Sequence, residues 1–258
     1  MSLLVCVVPV APVRAGAAHT SEQTTQLLFG ELCELLEQTK DFSRIRAIND
    51  DYEGWCQSTQ LTGTDRTFAD PQNTLLAGDW LNNISIHNQA MQVPFGSSLG
   101  FLENGKGTIG KYEVLYEGAT FNPTDNAADE LSLKRYAYKF LNTSYLWGGR
   151  SVFGVDCSGF TQMIFRCFGV PLARDAYQQA TQGEAVGFLQ EVRCGDLAFF
   201  DNEAGKITHV GMLLDGETII HSSGKVRIDT IDSLGIVNRD TSKRTHNLRI
   251  IKRMLEHA

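Results

Sequence analysis

Cys157 has the sequence neighbours of a reactive thiol. It follows Asp156 and precedes a Ser-Gly pair in the segment "GVDCSGF". Because Asp is a favoured helix N-cap residue, Cys157 is predicted to be the first residue of a helix. The unpaired N–H groups and partial positive charge of a helix start stabilise a thiolate, which should lower the pKa of Cys157. Small neighbours would also let a substrate carbonyl approach these N–H groups. A buried, inert cysteine fits the local sequence equally well.

A nucleophilic cysteine needs a base, and two of the six histidines are spaced to supply one. His209 opens the strand-like segment "HVGMLLDG", and His221 lies in the next one, "TIIHSSG". If residues 215–217 form a three-residue loop, His221 pairs with Gly211 and the two histidines are diagonal neighbours on one sheet face. A two-residue loop would put them on opposite faces, and either could then be an ordinary core residue. The first register predicts a triad with Cys157 as nucleophile, His209 as base and His221 orienting the His209 ring.

The elements that must position these residues lie in the second half of the chain. Two segments, "ADELSLKRYAYKFLNT" and "CSGFTQMIFRCFG", have apolar residues at helical spacing, and a Gly and a Pro follow the second as stop signals. The segment "DAYQQATQGEAV" is predicted to be a short helix or a loop. Five later segments are strand-like: "GDLAFFD", "HVGMLLDG", "ETIIHSSG", "KVRIDTI" and "LRIIKRML". This order predicts an α+β domain over residues 123–258, in which Cys167 is a core residue on another face of the Cys157 helix.

The first half of the chain is predicted to be made of small β units. Residues 1–62 contain short strands separated by turn signals, which is typical of a small β-barrel, with Cys33 and Cys56 in its core. The central glycine of "QLLFGELCELLEQ" favours two strands and a turn over one helix. Residues 63–122 are predicted to form a second small β unit with an Asn-Gly hairpin. Whether this second unit is a complete barrel domain is left open.

Composition excludes several functional classes. The 258-residue chain carries a net charge of −7, which argues against a protein that binds nucleic acid or an anionic membrane. The six cysteines include no CxxC pair, so zinc ribbons and redox pairs are not expected, and we expect no metal and no organic cofactor. The sequence has no apolar stretch near the roughly 18 to 20 residues of a membrane span. We expect a monomer.

The N-terminal segment "MSLLVCVVPVAPVRAG" allows two interpretations. Its apolar run has the length of a signal peptide, but it lacks a basic start, and Pro9 and Pro12 interrupt it. A first β-strand is therefore favoured. The sparse cysteines in apolar context indicate a reduced compartment, and we expect a cytoplasmic protein. If residues 1–16 act as a signal, the protein would instead be exported to the cell envelope.

Several motifs occur together in the second half of the chain: "YLWGGRSVFGVDCSGF", "GDLAFFD…HVGMLL" and "IIHSSG". In this order they resemble the NlpC family of papain-like bacterial cell-wall cysteine endopeptidases, over about residues 130–258. The resemblance implies a papain-like domain, with helices packed on an antiparallel sheet and Cys157, His209 and His221 as the triad. It also implies that Tyr145 lies at the oxyanion side of the cleft.

The segment "TTQLLFGELCELLEQTKDFSRIRAINDDYEGWC" resembles the bacterial SH3-like domain that often precedes such enzymes. Within the family, the arrangement most resembles the γ-D-glutamyl-L-diamino-acid endopeptidases, or dipeptidyl-peptidase VI, which require a free N-terminal L-Ala. This resemblance implies that Asp175 in "ARDAYQQ" accepts the substrate ammonium, beside Arg174. It places Ser158 beside the D-glutamyl carboxylate, and Glu22 and Tyr52 of the SH3-like unit in amine recognition.

Each of these substrate-binding residues also has an ordinary structural interpretation. Arg174 and Asp175 could be solvated surface charges, as such pairs usually are. Glu22 could be a surface charge on an exposed loop, and Tyr52 could pack in the barrel.

The residues predict a cysteine-based nucleophile, and the resemblance implies a cysteine endopeptidase that hydrolyses the γ-D-glutamyl–diamino-acid bond of murein stem peptides with a free L-Ala, in murein turnover or recycling. Its predicted partner is the murein peptide L-Ala-γ-D-Glu-diamino acid, with the preferred diamino acid left open. Two alternatives remain: a non-catalytic cell-wall-binding protein, and an amidase or acyltransferase on the same fold.

Overall fold

The chain divides into two compact units, Met1–Asp125 and Asn126–Ala258. The computed structural model describes residues 2–64 and 74–255. Part of the predicted second β unit, residues 65–73, lies outside the described residues.

The first unit begins with a seven-stranded antiparallel sheet in the order β3-β2-β6-β5-β4-β1-β7. Its strands are β1 (Leu3–Cys6), β2 (Val10–Arg14), β3 (Gln23–Leu28), β4 (Leu32–Gln38), β5 (Phe42–Ala47), β6 (Glu53–Gln57) and β7 (Leu61–Thr64). Between β3 and β4 the chain turns at Gly30, whose φ is +76°. The prediction of two strands and a turn here is therefore confirmed. Cys33 and Cys56 lie in the fully buried core of this sheet, as predicted.

The N-terminal sixteen residues contribute two strands of this sheet, β1 and β2, rather than one. β1 lies between β4 and β7, and β2 lies between β3 and β6. Pro9 separates the two strands, and Pro12 lies within β2. The interpretation of this apolar run as β-strand is thus confirmed, although it is divided at a proline.

The rest of the first unit is a four-stranded antiparallel sheet in the order β10-β9-β12-β11, with a separate pair of strands β8 and β13. The bounds are β8 (Leu76–Ala77), β9 (Leu81–Ile86), β10 (Gln89–Pro94), β11 (Lys106–Ile109), β12 (Tyr112–Glu117) and β13 (Thr120–Phe121). The predicted Asn104-Gly105 turn is confirmed, because both residues have positive φ and Glu103 and Lys106 exchange backbone hydrogen bonds. Phe29 packs in one apolar cluster with residues of this four-stranded sheet, so the predicted boundary at residue 62 falls inside a continuous core.

The second unit is a seven-stranded antiparallel sheet in the order β16-β22-β17-β18-β19-β20-β21 with a few short helices. Its elements are α1 (Glu130–Lys139), β14 (Arg150–Ser151), β15 (Gly154–Val155), α2 (Cys157–Arg166), α3 (Ala176–Gln179), β16 (Glu184–Val186), β17 (Leu197–Asp201), β18 (Ile207–Leu213), β19 (Thr218–Ser223), β20 (Lys225–Asp232), β21 (Gly235–Val237) and β22 (Arg244–Arg253). Because β21 also pairs with β22, six strands close into a barrel. The predicted antiparallel sheet is present, but the description of helices packed on a sheet fits only in part. The fold is mostly β, and the sheet closes on itself instead of presenting an open face to the helices.

Helices α1 and α2 begin at aspartate N-caps. The backbone N–H of Ser132 donates to Asp129 Oδ1 at 2.8 Å, and that of Gly159 donates to Asp156 Oδ1 at 2.7 Å. These bonds satisfy donors that a helix start leaves unpaired. Within the described part of the chain, no helix is long and apolar enough to cross a membrane.

Helix α2 packs against strands β18 and β19, which carry His209 and His221. Each residue from Cys157 to Phe165 is buried. At the far end of the helix, Cys167 is buried and its thiol donates to the Met163 carbonyl at 3.3 Å. Cys167 is therefore a core residue, as predicted. Of the two cysteines, the N-terminal one lies near the strands that carry the histidines.

Candidate active site

Cys157 is the first residue of α2, with Asp156 as the N-cap, as the sequence predicts. Its side chain is 7% exposed. Burial, followed by the negative charge of Asp156, raises the pKa of the thiol to about 12. Hydrogen bonds from the backbone N–H groups of Val210 and Ser158 act in the opposite direction but do not outweigh burial. The prediction that the helix start lowers the Cys157 pKa is therefore wrong, because desolvation of the thiolate raises the pKa by more than the backbone N–H groups lower it.

The two histidines predicted to accompany Cys157 are in contact with each other. His221 pairs with Gly211, and the backbone N–H of Leu214 donates to the Thr218 carbonyl, which is the register of a three-residue loop. The two rings lie on one face, with 2.8 Å between His209 Nε2 and His221 Nδ1. Both side chains are buried, and burial lowers the pKa of His209 well below its ordinary value, so His209 is neutral near pH 7. Val210 follows His209, and its backbone N–H donates a hydrogen bond to the Cys157 sulfur. The thiol and the histidine pair therefore belong to one site.

A glycine in strand β18 makes room for the histidine contact. A Cβ atom on Gly211 would lie 2.8 Å from the His221 Cβ, a distance too short for two carbon atoms. Gly211 is also two residues from His209, so it occupies the same face of the strand. The absence of a side chain at this position therefore leaves space in which the two rings can meet.

Two further side chains of this site were missed at the sequence level. His221 Nε2 lies 3.0 Å from Asp229 Oδ2, and Asp229 is fully buried in strand β20. On the other side, the His246 ring stacks on the His209 ring, with centroids 4.1 Å apart and an angle of 24°. Burial, followed by the electrostatic interaction with the His221 ring, lowers the pKa of His246 to about 4. His209 is thus held between a hydrogen-bonded and a stacked histidine.

The register of the next hairpin was the signal that could have identified Asp229. His221 pairs with Arg227 across β19 and β20, so Asp229, two residues further, shares its face. The turn at Gly224, with φ +70°, sets this register and is visible in the sequence as "SSGK". His246 has no comparable local signal, because it reaches the site only through closure of the sheet by β22.

Tyr145 lies close to the helix start. Burial, followed by electrostatic interactions with Cys157 and Asp156, raises the pKa of its hydroxyl to about 12. Its backbone is held by a bridge to Val155 and by a hydrogen bond from its N–H to the Gly224 carbonyl at 3.0 Å. The structure thus places Tyr145 beside Cys157, with its hydroxyl protonated and able to donate a hydrogen bond.

Arg174 is buried against the N-cap of α2. It is 1% exposed, and its guanidinium donates to both carboxylate oxygens of Asp156 and to Ser158 Oγ, the last at 2.9 Å. The interpretation of Arg174 as a solvated surface charge is therefore wrong. Asp156 also accepts from the backbone N–H of Gly148 at 2.9 Å, so one buried ion pair joins the helix start to the preceding loop. Contact of Arg174 or Ser158 with substrate stays a prediction.

The remaining predicted binding residues lie in three different places. Asp175 is half-buried, next to Arg174, and is the N-cap of α3, where its backbone N–H donates to Gln178 Oε1 at 3.1 Å. In the first unit, Glu22 is exposed just before β3, and Tyr52 is half-buried just before β6. Their roles in recognising an amine stay predictions.

The described residues contain no group of three or more His, Cys, Asp and Glu side chains that could hold a metal ion. All six cysteines are free thiols. The groups that this site offers are a buried thiol, a neutral imidazole and hydrogen-bond donors at a helix start. Such a set performs nucleophilic attack on a carbonyl with proton transfer to the imidazole.

Comparisons with known proteins agree with this arrangement. The NlpC/P60 family matches residues 142–245, and the bacterial dipeptidyl-peptidase Sh3 domain matches residues 13–61. A γ-D-glutamyl-L-lysine dipeptidyl-peptidase from Bacillus cereus is 30% identical over 233 residues, which are 79% of this chain and 68% of the relative. The protein of the same name from Bacillus subtilis is 48% identical over 85 residues, 32% of this chain and 28% of the relative.

A solved structure supports the fold. An NlpC/P60 family protein from Bacillus cereus aligns with a TM-score of 0.82 and 21% identity, covering 99% of this chain and 100% of that chain. The predicted papain-like fold is thus confirmed. With its N-terminal Sh3 match, its fold and its cysteine–histidine site, the chain belongs to the NlpC/P60 family of cysteine peptidases.

Proposed function

We propose that the protein is an endopeptidase that cleaves the γ-D-glutamyl–diamino-acid bond of murein stem peptides with a free N-terminal L-Ala. The names of the two Bacillus relatives support this bond, and the family supports a peptidoglycan substrate. The observation that carries the catalytic assignment is the 2.8 Å contact between His209 Nε2 and His221 Nδ1, next to Val210, whose backbone N–H interacts with the Cys157 sulfur. A need for a free amine suits small peptides already released from the wall, and hence a role in recycling.

In the proposed mechanism, Cys157 attacks the γ-glutamyl carbonyl carbon while its proton passes to His209. Because His209 Nε2 is engaged by His221, Nδ1 is the ring nitrogen that receives the proton. The oxyanion is stabilised by backbone N–H groups at the start of α2 and by the Tyr145 hydroxyl. His209 then protonates the departing amine of the diamino acid, which leaves a thioester on Cys157.

Hydrolysis of the thioester completes the cycle. A water molecule gives one proton to His209 and attacks the thioester carbonyl, and the second tetrahedral intermediate releases L-Ala-D-Glu. The proton on His209 returns to the Cys157 sulfur, so the thiol and the neutral imidazole are restored. With a thiol pKa of about 12 and a His209 pKa well below its ordinary value, the resting pair carries no charge near pH 7.

Asp175 is proposed to bind the substrate ammonium. It follows Arg174, whose guanidinium donates to Asp156, the N-cap of the Cys157 helix. The backbone at Asp175 is therefore held against the helix that carries the nucleophile. A charge-assisted hydrogen bond of this kind contributes about 1.5–3 kcal/mol. Arg174 itself is proposed to hold Asp156 and Ser158, with Ser158 beside the glutamyl carboxylate. Glu22 and Tyr52 are proposed to assist amine recognition.

The proposal is tested with synthetic L-Ala-γ-D-Glu-L-Lys, the meso-diaminopimelate analogue and their N-acetylated forms, with products identified by mass spectrometry. We expect release of L-Ala-D-Glu from the free peptides and a kcat/KM that is about 10- to 150-fold lower after acetylation. Asp175→Asn should bring the two forms closer together. Equal turnover of free and acetylated peptides would overturn amine recognition by Asp175.

Two further outcomes would support the alternatives. Strong binding to purified sacculi without any peptide cleavage would support a non-catalytic wall-binding protein. Cleavage of simple amides or thioesters, with no release of L-Ala-D-Glu, would support an amidase or acyltransferase.

A further inference from the structure

Asp229 occupies the end of the histidine chain as a buried carboxylate surrounded by donors. It is 1% exposed, and its two oxygens accept from Arg227 Nε at 2.8 Å, Arg227 Nη2 at 2.9 Å and the Arg239 backbone N–H at 2.9 Å. His221 Nε2 lies 3.0 Å from Oδ2. Although burial opposes ionisation, the hydrogen bonds from His221, Arg227 and Arg239 hold the pKa of Asp229 well below its usual range.

An ionised carboxylate accepts hydrogen bonds and cannot donate one. His221 must therefore carry its proton on Nε2, which faces Asp229. In a neutral imidazole the other nitrogen is then an acceptor, so His221 Nδ1 presents a lone pair to His209. Because His209 Nε2 lies 2.8 Å from that lone pair, His209 must carry its own proton on Nε2.

We propose that Asp229 is a positioning residue which, through His221, places the proton of His209 on Nε2 and so leaves Nδ1 free as the base for Cys157. This inference rests on the proposed function. It extends the catalytic set by one residue that does not touch the substrate. With the opposite tautomer, His221 would donate from Nδ1, His209 would carry its proton on Nδ1, and the nitrogen needed by the thiol would be blocked.

The hydrogen bonds around Asp229 predict what an amide would do in its place. In Asp229→Asn, an amide oxygen at the Oδ1 position keeps two donors, Arg227 Nη2 and the Arg239 N–H. The amide NH2 then lies at the Oδ2 position, where it opposes Arg227 Nε but can donate to His221 Nε2. The reverse orientation sets the NH2 group against two donors instead of one. The substitution should therefore invert the tautomers of both histidines.

Position 232 of the same strand offers a matched control. Asp232 also bonds an arginine, with Arg244 Nη1 at 2.8 Å from Oδ1, and it is half exposed. Asp232→Asn removes a carboxylate from an ion pair of β20 at a position whose side-chain bonds go to residues other than His221. Its effect on kcat should be smaller than about twofold, as for an exposed ion pair.

The experiment combines kinetics with ¹⁵N NMR of histidine-labelled protein. In the wild type we expect protonated Nε2 on both His209 and His221, and in Asp229→Asn protonated Nδ1 on both. The kcat of Asp229→Asn should fall about 10²- to 10⁴-fold, as expected when a catalytic histidine is held in the wrong tautomer, with KM changed less than about threefold.

A double-mutant cycle separates proton placement from a structural role. In His221→Asn the amide oxygen can accept from His209 Nε2 without help from Asp229. Adding Asp229→Asn to this variant should therefore lower kcat less than about threefold further. An equal loss in both backgrounds would show a structural role and overturn the proposal.

The wild-type spectrum alone also decides, even if Asp229→Asn does not fold, because a proton on His209 Nδ1 overturns the proposal. The tautomers and the rate of Cys157 alkylation by iodoacetamide are measured without a peptide substrate. A wild-type enzyme that alkylates rapidly with Nε2-protonated histidines but releases no L-Ala-D-Glu would refute the proposed function and leave the role of Asp229 standing.

Discussion

Helix α2 has a buried cysteine at each end, and the two thiols differ in their neighbours more than in their burial. Cys157 is 7% exposed and Cys167 is 1% exposed, and burial raises the pKa of both. At the N-terminal end, the Cys157 sulfur accepts a hydrogen bond from the backbone of the strand that carries His209. At the other end the thiol donates to the Met163 carbonyl within its own helix. Position at a helix start thus does not by itself produce a thiolate.

The difference between the two ends lies in the access to a base. Cys157 shares its site with a neutral imidazole whose proton is already placed on the far nitrogen, while the Cys167 thiol donates to the Met163 carbonyl, which cannot take its proton. A buried thiol beside a neutral base loses its proton only as it attacks, when charge develops on the oxyanion. Burial then serves to exclude water from the pair until a substrate is bound.

The strongest test of the difference between the Cys157 and Cys167 thiols is Cys157→Ala. We expect kcat/KM to fall at least about 10³-fold, because the nucleophile is removed, while the melting temperature stays close to that of the wild type. The measurement is peptide hydrolysis with L-Ala-γ-D-Glu-L-Lys. His209→Ala should cause a loss of similar size and also slow alkylation of Cys157. Retention of activity in Cys157→Ala would show that the two cysteines are equivalent for catalysis.

The next test concerns the ion pair that holds only the N-terminal end of α2. Arg174→Met would leave the Asp156 carboxylate buried without its guanidinium, which costs about 3–5 kcal/mol. Arg166→Met is the matched control in the last turn of the same helix, with an expected cost below about 1 kcal/mol. Urea unfolding of both variants gives the two free energies. Equal costs at the two ends would refute the view that the start of α2 depends on this buried pair.

Acid should destabilise the buried histidine cluster beside the N-terminal end of α2. Burial, then the electrostatic interaction with the His221 ring, lowers the pKa of His246 to about 4, and burial lowers that of His209 as well. Histidine in the unfolded chain titrates near about 6.5, so the unfolded state binds more protons in the window from about pH 6.5 down to 4. Stability that is present above this window is therefore lost as the pH falls through it.

We expect the melting temperature to fall between pH 7 and pH 5, and to fall less in His246→Phe. Phenylalanine keeps an aromatic ring against His209 but cannot bind a proton. Circular dichroism at pH 7, 6 and 5 measures both proteins. The same slope in wild type and variant would show that burial of the His246 ring does not contribute to acid sensitivity.

The parts of the site that could be predicted from sequence are those set by short-range geometry. The N-cap at Asp156 precedes its helix directly, and the loop after Leu214 is closed by Asp215, whose Oδ1 accepts from the Glu217 and Thr218 N–H groups. A three-residue loop then fixes which face the histidines share, because side chains alternate along a strand. The Asn-Gly turn of the first unit was predictable for the same reason.

The parts that could not be predicted depend on burial and on distant strands. The Cys157 pKa is set by how deeply the thiol is desolvated, which no local pattern reports. His246 reaches His209 only because β22 closes the barrel, and the surface-charge interpretation of Arg174 failed because its partner Asp156 is 18 residues away. Asp229 could have been predicted in the same way as the histidines, because the register of the β19–β20 hairpin places it beside His221.

Substitution of Cys167, at the C-terminal end of α2, should affect stability rather than activity. Cys167→Ala removes a buried sulfur from the core and should lower the free energy of unfolding by about 1–2 kcal/mol, while kcat/KM stays within about twofold. Cys167→Ser should keep the hydrogen bond to the Met163 carbonyl and remain active, whereas Cys157→Ser should be as inactive as Cys157→Ala. Denaturation and hydrolysis of the four variants give an activity loss at one end and a stability loss at the other. If Cys167→Ala lost activity to the same degree as Cys157→Ala, the two ends of the helix could not be assigned separate roles.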